Sequence, residues 1–246
     1  MIKVAVVGAS GRMGKTVCDA VTAAADLELV ARLDHGDPLT AENLNGATVA
    51  VEFTVPDATK ANVLALLEAG VDVVVGTSGW DDADLAEVQS RAQETGQSVL
   101  VAPNFGLSAV LAMKFAELAA PYFESVEVLE MHHPDKVDAP SGTAFATAQR
   151  IAQARQKAGV PASPDATTID PEGARGAVID GVHVHAVRLR GLNAHEEILL
   201  GNPAEQLVIR QDSFDRTSFM PGVLLAVRKI SGRGGLTYGL EDLLDL

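Results

Sequence analysis

Short β-branched runs alternate with helical stretches along the first hundred residues. Ile2-Lys3-Val4-Ala5-Val6-Val7 stops at Gly8, and a helical pattern runs from Lys15 to about Ala25. The same rhythm then repeats: strand 27–33, strand 48–53, helix 57–69, strand 71–75, helix 81–95, strand 98–102 and a helix from Leu107 to Tyr122. Strands that alternate with helices predict an α/β fold built on a doubly wound parallel sheet. The pattern changes after Tyr122. A strand at 125–131 and a helix at 142–157 precede three alternating runs, 182–189, 196–200 and 205–210, which read as antiparallel strands of a second, open sheet, mixed or antiparallel overall. Between them, 159–181 is rich in Pro, Asp and Gly and too long for a tight connection, so it reads as a lid. An apolar helix, 218–230, closes the pattern and is expected to return to the first domain. The division that follows is 1–105 with 214–246, and 106–213. Two chain crossings between domains suggest a hinge.

Composition narrows the function. With 246 residues and 47% hydrophobic content, the chain can bury a sizeable core. A net charge of −14 argues against a nucleic-acid partner, which calls for a basic face. No apolar run reaches the roughly 18 residues of a membrane span, and no cleavage site follows Met1-Ile2-Lys3, so a cytoplasmic location and no membrane partner are expected. The single cysteine, Cys18, has no internal disulfide partner. His183 and His185 share a strand face, but without a third ligand no metal site is expected.

The turn Gly8-Ala9-Ser10-Gly11-Arg12-Met13-Gly14 sits between a strand and a helix. Glycines there let the backbone turn tightly and approach a pyrophosphate at a helix N-terminus, and Arg12 adds a charge. Asp34 ends the next strand about twenty residues on, where a carboxylate accepts hydrogen bonds from an adenosine ribose. The expectation is a Rossmann-type domain for NADH or NADPH. Three further strand ends, at Phe53-Thr54, at Gly76-Thr77-Ser78 and at Ala102-Pro103-Asn104-Phe105, present small polar residues toward the same cofactor.

Proton-transfer groups concentrate in Glu130-Met131-His132-His133-Pro134-Asp135-Lys136-Val137-Asp138-Ala139-Pro140-Ser141-Gly142-Thr143. Two imidazoles titrate near neutrality, Lys136 supplies a cation, and the helix start after Pro140 offers backbone N–H groups to a carboxylate.

These residues together resemble the 4-hydroxy-tetrahydrodipicolinate reductases (dihydrodipicolinate reductases) of the bacterial lysine pathway. The resemblance is carried by Glu130-Met131-His132-His133-x-x-Lys136-x-Asp138-Ala139-Pro140-Ser141-Gly142-Thr143-Ala144, by Val7 to Gly14, and by Gly76-Thr77-Ser78-Gly79 with Ala102 to Phe105. It implies reduction of a small cyclic imine dicarboxylate with NADH or NADPH, a nucleotide domain, and a second domain that binds substrate and forms a homotetramer. It also implies that His132 and Lys136 are catalytic, and that His133, Ser141, Gly142 and Thr143 bind substrate carboxylate.

Overall fold

The computed structural model describes residues 1–244; the last two residues of the expected 214–246 segment lie outside the described residues. The chain divides into two compact units, residues 1–106 with 216–246, and residues 107–215.

The first unit is a six-stranded sheet in which every recorded pairing is parallel. Its strands are β1 (Ile2–Val7), β2 (Leu27–Leu33), β3 (Val49–Glu52), β4 (Asp72–Val75), β5 (Ser98–Val101) and β11 (Gly235–Tyr238), in the order β11-β5-β4-β3-β1-β2. The central strands β3, β4 and β5 are buried along their whole length, as expected of a sheet covered on both faces. The chain leaves β1 toward β2 and then crosses back to β3, so the order reverses between β1 and β3. In open sheets of this kind, ligands bind beyond the strand ends at that reversal. Helices α1 (Arg12–Ala23) and α6 (Met220–Lys229) pack together, as do α2 (Pro56–Glu68) and α3 (Asp82–Thr95). Asp81 caps α3 by accepting from the Asp84 N–H, and Gly96 ends it in the left-handed conformation. Helix α6 sits against the loop after β5 so closely that a Cβ on Gly222 would lie 2.0 Å from the Phe105 carbonyl oxygen.

The second unit carries a five-stranded sheet of β6 (Ser125–His132), β7 (Ala177–Ile179), β8 (Val182–Arg188), β9 (Ala194–Asn202) and β10 (Glu205–Ser213), in the order β10-β9-β6-β8-β7. Helices α4 (Leu107–Ala119) and α5 (Gly142–Lys157) cover one face, with Val126, Val128, Ile151, Ile198 and Leu200 in the core between. The sheet is mixed. Strands β9 and β10 are antiparallel to their neighbours and β8 runs parallel to β6, so of the mixed and antiparallel forms expected the sheet takes the mixed one. The direction of β8 follows from the tight hairpin at Asp180-Gly181, where β7 runs antiparallel to it and hands the chain over.

Two strands are additional to those read from the pattern. β11, at the sheet edge, is four residues long. β7 lies within the segment read as a lid. That segment is tied to the sheet: Asp170 accepts from the N–H groups of Ala174 and Arg175, and Arg175 donates to Asp165 and Glu127.

Candidate active site

The site in the first unit begins where β1 ends. Gly8 has a φ of +83°, and a Cβ there would lie 2.1 Å from the Phe53 carbonyl oxygen; a Cβ on Gly14 would lie 1.9 Å from the Gly8 carbonyl oxygen. Only glycine permits this approach of turn, helix and neighbouring strand. The N-cap of α1, Gly11, supplies no side-chain acceptor, which leaves N–H groups of the first helical turn open to a ligand. A cavity of about 420 Å³ opens beside the turn, bordered by Gly8, Ser10, Gly11, Asp34, Thr54 and Asn62. Asp34 accepts from the Ser10 N–H at 3.0 Å and from the Ser10 hydroxyl at 2.8 Å. The glycine turn and the acid after β2 thus meet across one cavity. Ala9 is buried, Met13 half-buried and Arg12 exposed at the first position of α1.

The other strand ends are organised by a residue that sequence reasoning passed over. Glu52 is fully buried at the end of β3 and accepts from the hydroxyls of Thr59 and Thr77 at 2.8 Å each, from Asn62 at 3.3 Å, and from Thr54. Thr77 in turn accepts from the Thr54 N–H at 2.8 Å. The loops after β3 and β4 therefore share one buried carboxylate. Gly76 lets the Phe53 ring lie against the backbone, since a Cβ would fall 1.9 Å from that ring, and Phe53 meets the buried Phe105 ring at 5.8 Å. Asn104 turns the chain by accepting from the Gly106 N–H at 2.8 Å. Pro103 and Ser78 are exposed.

In the second unit, the inward-facing positions of β6 are Val126, Val128 and Glu130. The third is an acid with no solvent exposure. Its carboxylate accepts from both Arg188 terminal nitrogens at 2.7 and 2.8 Å, from the Ser141 N–H at 3.0 Å, and lies 2.6 Å from His132 Nδ1. Burial alone would raise the Glu130 pKa, but the hydrogen bonds from Arg188 and His132 outweigh it and hold the carboxyl below its usual range. An ionised carboxylate only accepts, so His132 Nδ1 carries the proton, leaving Nε2 for chemistry. Burial pushes the His132 pKa down; Glu130 opposes this, and the charges of Lys136 and Arg188 add to it.

Ser141 closes the arrangement by capping α5, its hydroxyl accepting from the Ala144 N–H at 3.1 Å, while its own N–H goes to Glu130. The peptide before Pro140 is cis. Gly142 and Thr143 form the first turn of α5 and His133 is half-buried next to His132. Lys136 donates to Asp138 at 2.7 Å. That contact, with the N–H of Gly142, holds the Asp138 carboxyl below its usual range, so the cation and the helix start together stabilise a carboxylate already present. Arg188 also donates to the Asp138 carbonyl at 2.7 Å. The structure thus brings His132, Lys136, Ser141 and Gly142 together around Glu130 and Arg188. Neither of those two was singled out as a site residue. The available signal was an acid in an inward slot otherwise filled by valine.

Among the described residues no helix is long and apolar enough to cross a membrane, and no group of three His, Cys, Asp or Glu side chains is placed to hold a metal.

Comparison with known proteins accounts for the whole architecture. The model of the dihydrodipicolinate reductase N-terminus matches residues 2–105, and that of the dihydrodipicolinate reductase C-terminus matches residues 108–244. The chain is 63% identical over 254 residues to the 4-hydroxy-tetrahydrodipicolinate reductase of Bifidobacterium animalis subsp. lactis, covering all of both chains. It is 63% identical over 247 residues to that of Beutenbergia cavernae, covering 100% of this chain and 99% of the relative. Among solved structures, dipicolinate-bound dihydrodipicolinate reductase from Paenisporosarcina sp. TG-14 superposes with a TM-score of 0.89 at 39% identity, covering 99% of this chain and 100% of the other. On two family matches that together span almost its entire length, the chain belongs to the dihydrodipicolinate reductase family.

Proposed function

We propose that this protein reduces 4-hydroxy-tetrahydrodipicolinate, or the dihydrodipicolinate formed by its dehydration, to tetrahydrodipicolinate, with NADH or NADPH as reductant in lysine and diaminopimelate biosynthesis. Family membership supports the reaction. The observation that carries the residue roles is the buried Glu130 carboxylate, which holds His132, Arg188 and the start of α5 in one fixed set.

Reduction adds one hydride and one proton to the ring of dihydrodipicolinate; from the 4-hydroxy ring the hydroxyl also leaves as water. A bound reduced nicotinamide supplies the hydride. Gly8, Ser10, Gly11 and the start of α1 hold its pyrophosphate, and Asp34 takes the ribose hydroxyls, which favours NADH, since a 2′-phosphate would meet that carboxylate. Gly76, Thr77, Ser78 and Ala102 to Phe105 complete the cofactor side, with Arg12 and Met13 flanking the turn. His132, protonated at both ring nitrogens for this step, delivers the proton from Nε2 and is left neutral, and Lys136 supplies positive charge and a second donor. One substrate carboxylate is taken by Lys136, His133 and the backbone of Gly142 and Thr143, with Ser141 beside them. Fixed donors of this kind orient the ring and stabilise charge that develops on it.

The test follows nicotinamide absorbance when freshly generated product of the preceding aldol condensation is added to protein and NADH or NADPH. Ring-dependent oxidation is expected; cofactor binding without turnover refutes the reading. Exposed apolar Leu207 and Val208 on the edge strand β10 support assembly as a homotetramer through the second unit, which sedimentation tests directly.

A further inference from the structure

Across the antiparallel ladder of β6 and β9, Glu130 is paired with Glu196. Directly opposed residues of such a pair project on the same face with Cβ atoms about 4.5–5.5 Å apart. Both glutamates are buried, with 0% and 2% exposure. Their surroundings differ completely. Glu130 has four donors, whereas neither carboxyl oxygen of Glu196 has a hydrogen-bond partner. The hydroxyl of the buried Thr147 on α5, the polar side chain that bears on Glu196, donates instead to the Thr143 carbonyl at 3.0 Å. Two carboxylates opposed in a dry core cannot both ionise without a large cost, and the one without donors keeps its proton.

We propose that Glu196 is a positioning residue: as an uncharged acid opposite Glu130 it leaves Glu130 the sole anion holding His132 and Arg188, and its ionisation on raising the pH disturbs that arrangement. The proposal rests on the role given above to His132. The charged groups on the packed elements bear it out. On β6 and β8 the neighbours are Glu130, His132 and Arg188, already joined to one another. On β10, Arg210 and Asp212 pair with Glu197 and His195. On α4, Lys114 and Glu117 pair together, and on α5 Arg155 donates to the carbonyls of Ala120, Phe123, Glu124 and Pro161. The register partner of Glu196 on β10 is the uncharged Gln211, also buried. Burial pushes the Glu196 carboxyl up to about 7; the nearby Thr147 hydroxyl opposes this only as a dipole, since its proton goes to the Thr143 carbonyl, and the Glu130 charge adds a smaller push upward.

The test compares the intact protein with Glu196→Gln, an uncharged isostere, and with Glu196→Met should the first variant not accumulate. Infrared spectra taken from pH 5 to 9 should show a protonated-carboxyl band in the wild type that fades as pH rises through about 7 and is missing from the variant. That readout needs no turnover, so its failure is distinct from failure of the proposed reaction. In kinetics, the variant should match wild-type kcat/KM within about twofold at pH 6 and exceed it by about threefold or more at pH 8.5. A band already lost at pH 5, pH profiles that superimpose, or failure of both neutral variants to fold would each overturn the proposal, since an uncharged side chain must then be the wrong occupant.

Discussion

Replacing Glu130 with Gln changes one atom at the centre of the second unit and is expected to damage both stability and turnover. The carboxylate takes two hydrogen bonds from Arg188, one from His132 and one from the Ser141 N–H. A Gln amide keeps the shape but removes the charge opposite Arg188 and turns an NH2 group toward groups that themselves donate. Breaking one side of a buried ion pair costs about 3–5 kcal/mol. The Arg188 side chain keeps 20% exposure, so water partly compensates and the lower end, about 3 kcal/mol, applies. For a chain of this length, at about 2–4 °C per kcal/mol, the melting temperature should fall by about 6–12 °C. The His132 ring loses the acceptor that fixes its tautomer, and kcat should fall about a hundredfold, the scale seen when one preorganised group is removed. Calorimetry and steady-state kinetics on the purified variant check both. A melting temperature within about 2 °C of wild type, together with kcat within twofold, would refute the reasoning.

Other expectations follow from the same geometry. Asp34→Ala should weaken NADH binding by about 10–100-fold, the scale of one charged hydrogen bond, and narrow any gap between NADH and NADPH; fluorescence titration reads this, and unchanged NADH affinity would remove Asp34 from the ribose. Gly14→Ala places a Cβ 1.9 Å from the Gly8 carbonyl oxygen, so the turn must shift; dinucleotide affinity should drop at least tenfold and thermal stability by about 1–3 kcal/mol, and calorimetry showing neither would contradict the close packing. Glu196 ionises near its ordinary 4.5 in the unfolded chain but near 7 when folded, so the unfolded state binds fewer protons between those values. Stability should therefore fall as pH rises from 4.5 to 7, by about 3 kcal/mol for a gap of about two and a half pH units, and then level off. The difference between wild-type and Glu196→Gln melting curves isolates this contribution, and a difference that does not vary with pH would contradict it.

The first unit was legible in the sequence because its signals are local. Apolar strands, the glycine turn and the acid after β2 each carry their meaning within a few residues, and the cavity joining Gly8, Ser10 and Asp34 follows from them. β11 escaped because four residues beginning at Gly235 give too little pattern, and they become a strand only through pairing with β5. In the second unit, alternation marks which face of a strand is apolar but not its direction, so the parallel pairing of β8 with β6 was hidden. The same limit explains the site. His132 and Lys136 stand out in a short motif that Glu130 opens, whereas the partners of Glu130 lie far off in sequence, Arg188 at 58 residues through an ion pair and Glu196 at 66 through strand register. Glu196 occupies an inward slot followed by Ile198 and Leu200, as Glu130 follows Val126 and Val128, and an acid in an apolar register is the signal both share.

That His132 moves the proton accompanying hydride reduction of the cyclic dicarboxylate is the proposal on which the residue roles rest. Its most direct test is single-turnover and steady-state oxidation of NADH or NADPH by wild type and His132→Ala, with dinucleotide affinity measured in parallel. Ring-dependent oxidation by wild type is expected, with a kcat lower by about a hundredfold or more in the variant and unchanged dinucleotide affinity. Wild-type kcat in His132→Ala, or no ring-dependent oxidation by wild type, would contradict the proposal.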